Sequence, residues 1–204
     1  MEQDGRSADG SAVGTDLSGL AVETAAQART YLVAVREVSA GTAPEAALPM
    51  LLLALSQVQG AGARLGAMVD VVPAERFEPD HGPDPDLDLI REGLQALLTG
   101  VDEYAEVQDP VLSGEVVRGS LANDVVSIAA DLSHGLRHHD AGATTEALWW
   151  WQFSYLSSWG ERAASALRVV LALLAHVRLD VDEEIVMEAE MAALHADSAA
   201  DPIG

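Results

Sequence analysis

Asp124, Ser127, Asp131, His134 and His138 recur at intervals of three and four residues, which places two carboxylates, a hydroxyl and two imidazoles along one stripe of a helix. Asp131 and His134 have the carboxylate-x-x-His spacing that aims an oxygen and a nitrogen the same way, and His138 adds a second nitrogen one turn on. Those three residues are the metal-ligating set the sequence offers. A dinuclear bundle centre also needs a second such pair on a facing helix, and no second helix supplies one. The competing reading is a solvated polar stripe, with His138 and His139 near the helix C-terminus where an imidazolium suits the dipole. Asp124 and Asp131 then bind arginine, either Arg162 or Arg168 of the same chain or a basic partner surface.

Other chemistries are thinly represented. The chain has no cysteine, which removes thiolate ligands, thiol nucleophiles and disulfides. It has no Gly-x-Ser-x-Gly, Gly-x-x-x-x-Gly-Lys or Gly-x-Gly-x-x-Gly, so neither a nucleophile elbow nor a glycine-rich phosphate cradle is encoded. Asp84 and Asp86 lie in an acidic loop, but Pro83 and Pro85 break the order that would wrap ligands around calcium. No catalytic set and no cofactor are expected.

Thirty-three Asp and Glu against eleven Arg and no Lys give a formal charge of −22, which repels phosphate backbones and anionic lipid. Direct nucleic-acid binding is therefore disfavoured. Arginine-only basicity with abundant Ala, Gly, Val and Leu fits a GC-rich bacterial genome. The opening Met1-Glu2-Gln3-Asp4 lacks a cationic and apolar leader, and the apolar runs 46–55 and 169–175 are shorter than a bilayer span, so a cytoplasmic protein without a membrane segment is expected.

The elements that position these residues are helical. Leu20, Ala28, Tyr31, Leu32, Val35 and Val38 mark a first helix over 17–39, stopped by Gly41. Thr42 and Glu45 have capping-box spacing before a second, apolar helix over 46–58, bent at Pro49. Residues 73–88 hold four prolines and six acidic side chains and form a loop. The stripe Leu87, Ile90, Leu94, Leu97, Leu98, Val101 and Tyr104 predicts a third helix ending before Asp109-Pro110. A fourth runs from Ser120 to Ala141-Gly142, and a fifth from Thr144 or Thr145 to about His176, while 182–194 adds a short last helix.

Six aromatics, Trp149, Trp150, Trp151, Phe153, Tyr155 and Trp159, fall in one stretch of the fifth helix. Trp149 and Phe153 share one face, and Trp151, Tyr155 and Trp159 another, so these five are expected as core. Trp150 lies on neither face and is the exposed, interface-forming member.

The segment Ala147 to Tyr155, closed by Trp159-Gly160 and 163–168, resembles the C-terminal signature of the bacterial DUF5063 family. Ser120 to Asp124 with Asp131-Leu132 resembles its acidic helix, and Asp102 to Tyr104 with Asp109-Pro110 the link before it. The likeness covers about 18–176. It implies a helical fold and no established activity, with basic or His positions near Gln152, Ser158 and Arg162; this chain has Gln and Ser at the first two.

The resulting expectation is an all-α single bundle of five main helices plus a short C-terminal helix. Residues 1–14 form a disordered acidic tail, 15–178 the bundle with the 73–86 Pro-rich loop, and 179–204 an acidic tail. The function expected is that of a non-catalytic adaptor or regulatory protein-interaction module that meets a protein partner with a basic surface through Asp124, Asp131 and Trp150. The alternative is a metal- or small-molecule-binding bundle using Asp131, His134 and His138 or a pocket beside Trp151 and Tyr155, and homo-oligomers are compatible with either.

Overall fold

Alanines and β-branched residues at helical spacing build α1, Ser7–Ser39, which buries Ala21, Ala25, Ala28, Tyr31, Val35 and Val38. The computed structural model describes residues 7–73, 82–109 and 111–180, with side chains from Leu17 onward. The backbone of α1 reaches back into the 1–14 segment expected as a tail, because no proline interrupts it and turns propagate outward from a packed helix. Gly41, at φ 66°, ends the element. The Thr42–Glu45 capping box does not form. Pro44 instead opens α2, Pro44–Ala67, behind an Ala43 that makes no side-chain cap.

α2 passes through Pro49 and buries Leu51, Leu55, Val58 and Leu65 against α1 and a later helix, α6 (Gly160–Ala175). By length and composition it could cross a membrane, but its apolar stripe forms the centre of the bundle. A connector leads to α3, Asp88–Leu97.

α3 is shorter than its apolar stripe. Gly100 adopts φ 87°, which L side chains resist, so the helix stops and Val101 and Tyr104 leave it. Glu103–Asp109 and Ser113–Ser120 instead form an antiparallel hairpin, β1 and β2, paired from Glu103–Ser120 to Asp109–Ser113 with an irregularity after Val107. The bundle is thus mostly α, with one small two-stranded sheet in place of an extended third helix. Alternating burial along β1 puts Tyr104 and Glu106 toward the bundle, where Glu106 accepts from Ser165 and Arg168 donates to Ala105 O at 3.2 Å.

α4, Leu121–Asp140, keeps its expected limits. Ser120 Oγ accepts the Asn123 amide at 3.2 Å, Asp102 takes the Ala122 amide at 2.7 Å and the Ser120 hydroxyl at 2.8 Å, and Gly142, at φ 79°, follows the end. The long fifth helix is divided into α5, Thr144–Ser154, a π turn over Tyr155–Trp159, and α6. In the turn the Gly160 amide reaches back to Tyr155 O, five residues away, and the extra residue shifts which side chains face inward. A second π turn, His176–Asp180, follows α6. The expected helix over 182–194 lies outside the described residues.

The aromatic segment divides differently from its helical-wheel reading. Trp151 and Trp159 are fully buried, and each sits over a glycine: a Cβ on Gly135 would lie 2.1 Å from Trp151 Nε1, and one on Gly62 2.4 Å from the Trp159 ring. Tyr155 and Trp149 are half-buried against the core. Phe153 is 44% exposed and stacks on Trp149 at 5.1 Å, so it is not a core residue; its face turns outward because Trp151, two residues away, claims the inner side.

Candidate functional site

The polar stripe of α4 does not face solvent. Val126, Ser127, Ala130, Asp131 and His134 form the floor of a cleft of about 390 Å³. One wall is the approach to α3 and the helix itself, with Asp84, Pro85, Leu87, Asp88 and Arg91; the other is the π turn and α6, with Ser158 and Arg162. A volume of this size lies in the range that holds small molecules.

At the N-terminal end of α4, Asp124 is 5% exposed. It accepts from the Tyr104 hydroxyl at 2.5 Å and from Arg162 Nη1 at 3.3 Å. Burial raises its carboxyl above the usual range, opposed by the Tyr104 hydrogen bond and Arg162. The carboxylate thus ties the hairpin and α6 to α4, and it is Arg162, not Arg168, that supplies the internal partner; Arg168 lies over the Tyr104 ring. Asp124 is therefore closed to an outside partner.

Two turns along, Asp131 accepts from Ser158 Oγ at 2.9 Å. Burial again raises its carboxyl, with Ser158, His134 and Arg162 pulling the other way. Its backbone carbonyl takes the Trp150 indole N–H at 3.2 Å, and Trp150 meets His134 edge to face at 5.5 Å. Trp150 is consequently half-buried and occupied, not the free interface residue its helical position suggested.

His134 is 4% exposed. Its Nε2 lies 3.5 Å from Asp84 Oδ1, its Nδ1 meets Arg137, and Arg137 also donates to Pro83 O. These contacts tie Pro83 and Asp84 to α4 beside the cleft. His138 does not line it. Among the described residues no group of three or more His, Asp or Glu converges as a metal site, so the structure does not assemble Asp131, His134 and His138. The physical reason is that both His134 ring nitrogens and one Asp131 oxygen already face other partners.

Arg91 escaped the sequence reading. It sits on the polar side of α3, donates to Asn123 Oδ1 at 2.7 Å and lines the cleft. Its only sequence signal is being an arginine one turn after the cleft-lining Leu87. Gln152, one of the two positions flagged beside Ser158, serves structure: its Nε2 donates to Leu65 O at 2.9 Å and its Oε1 accepts the Val71 amide at 2.7 Å, anchoring the end of α2.

Residues 15–176 match the family model described as Domain of unknown function (DUF5063). The crystal structure of protein BF1032 from Bacteroides fragilis is similar with a TM-score of 0.60 and 13% sequence identity, covering 74% of this chain and 90% of that one. That likeness is one of fold. No curated protein matches the chain.

Proposed function

The chain belongs to the DUF5063 family, and we propose that it acts there as a non-enzymatic, cytoplasmic binding module that holds a small polar molecule in the cleft along α4. The observation that supports this reading is the cleft itself: three separate segments deliver Arg91, Asp131, Ser158 and Arg162 to one concave site beside the apolar side chains Val126 and Ala130. The expected adaptor surface has less support, since Asp124 and Trp150 are engaged internally and Asp131 lies within the cleft.

The test is to release and identify small molecules from untagged protein purified from its own cells, beside the variant Ala130→Phe, whose ring fills the floor of the cleft. A stoichiometric metabolite lost from a folded Ala130→Phe protein supports the reading. Absence of any metabolite, together with no thermal shift against a panel of polar metabolites, ends it.

Protein recognition remains a second reading on one observation. Val111 and Leu112, at the turn of the hairpin, are each 87% exposed, and paired exposed apolar side chains at a strand turn offer an anchor for a partner. Under that reading Val111→Ser with Leu112→Ser abolishes co-purification of a partner while leaving the melting temperature unchanged. A partner retained by the double variant removes it.

A further inference from the structure

We infer that the cleft is built for a dipolar ligand, one carrying an anionic group and an amine-type cation joined by a short apolar link. This deepens the binding reading above and rests on it. Arg91 lines the cleft, yet its polar contact is the neutral Asn123 amide, and it forms no ion pair among the described residues although the chain carries three acidic side chains for each arginine. Asp131 lines the same cleft and accepts from the neutral Ser158 hydroxyl; His134 and Arg162 act on it through their charge, but each makes its ion pair elsewhere, with Asp84 and Asp124. The two opposite charges have not collapsed onto one another. Each presents a site for the opposite charge.

The same cleft offers a small apolar contact for the link. Ala130 on α4 is its main apolar lining, beside the nearly buried Val126, one helical turn away, and Leu87, so a short run of methylene groups meets hydrocarbon there. A carboxylate or phosphate fits Arg91, whose planar fork pairs with either oxygen geometry. An ammonium fits Asp131, whose partial burial strengthens a paired cation more than solvent would allow. Arg162 is committed to Asp124 and serves as a wall. A purely anionic ligand leaves the Asp131 carboxylate facing like charge, and a purely cationic one leaves Arg91 so.

The experiment uses full-length protein and the ω-aminocarboxylates from 4-aminobutanoate to 6-aminohexanoate, with hexanoate and hexylamine as single-charge controls, followed by titration calorimetry. One aminocarboxylate is expected to bind about tenfold tighter than either control, since each matched charge pair is worth roughly that factor in a partly buried site. Asp131→Asn should erase the advantage over hexanoate, and Arg91→Gln the advantage over hexylamine, each leaving the other preference in place. Equal binding of controls and aminocarboxylates, binding of none, or a preference that survives both substitutions overturns the inference. A co-purified metabolite with a single type of charge also overturns it while the cleft reading stands; the cleft reading fails by its own test, through absence of any cleft ligand.

Discussion

Gln152→Leu removes from the interior, at nearly constant volume, a side chain that bonds four backbone groups, two of them closely and the Met68 and Val69 carbonyls at 3.5 and 3.4 Å. The Leu65 carbonyl lies in the last turn of α2, where no helical amide can reach it, and Gln152 Nε2 is its donor at 2.9 Å. The Val71 amide belongs to the connector and finds Gln152 Oε1 at 2.7 Å. Leu65 is fully buried and Val71 8% exposed, so water substitutes poorly for either partner. At about 1–3 kcal/mol for each of these two buried groups left unmet, the substitution costs about 2–6 kcal/mol, a large share of the roughly 5–15 kcal/mol typical of a domain. Urea denaturation followed by tryptophan fluorescence and by helical circular dichroism measures it, with a lowered midpoint and an unchanged slope. Gln152→Glu separates the two bonds: it keeps an acceptor for Val71 but sets a carboxylate oxygen against the Leu65 carbonyl, and should destabilise as well. A loss below about 0.5 kcal/mol for Gln152→Leu refutes the view that this side chain fastens α2 to α5.

Three further outcomes follow from the same geometry. Gly135→Ala, which in an exposed helix stabilises by up to about 1 kcal/mol, should here destabilise by roughly 1–3 kcal/mol because its Cβ would meet Trp151 Nε1 at 2.1 Å; thermal unfolding decides the sign. Tyr104→Phe deletes the hydroxyl that donates to buried Asp124 at 2.5 Å and should lower stability by about 1–2 kcal/mol, with no change at all arguing against the hairpin being tied to α4. Asp131 holds its proton more tightly in the folded than in the unfolded chain, because burial raises its carboxyl above the usual 3.8. Its contribution to stability is therefore largest at low pH and declines as pH rises from that value through the raised one. Asp131→Asn keeps an oxygen for Ser158 and removes the titration, so its stability relative to the parent should increase with pH across that window; a difference that is flat or falls with pH contradicts the assignment.

Helix positions were legible where local signals agreed with packing. Ser120 as cap and Gly142 after the end bracket α4 as the sequence indicated, since both act through the backbone within a few residues. The hairpin was hidden because Val101 and Tyr104 continue the spacing of the α3 stripe by coincidence; Gly100 and the alternation around Tyr104 and Glu106 were the contrary evidence. The π turn has no comparable sequence mark, since it arises from seating Trp159 and Tyr155 over Gly62 and Gly66. For the site, the α4 stripe Asp124, Ser127, Asp131, His134 and His138 divides: Ser127, Asp131 and His134 line the cleft, whereas Asp124 and His138 do not, because the direction of each side chain depends on what α6 and the segment before α3 pack against. Arg91, Asp84 and Ser158 come from three separate segments, and only tertiary packing brings them together.

The cleft along α4 is the small-molecule site we propose. Trp150 reports on it, because its indole donates to the Asp131 carbonyl and its ring touches His134. Nitrogen–proton correlation spectra of labelled protein, recorded with and without the small molecules released from native material, resolve the four indole signals. The Trp150 indole and the amides of Ser127, Asp131 and Ser158 are expected to shift together, while the buried Trp159 indole and the amides of Val111 and Leu112 stay in place. Shifts confined to the hairpin, or none anywhere, would contradict the proposed site.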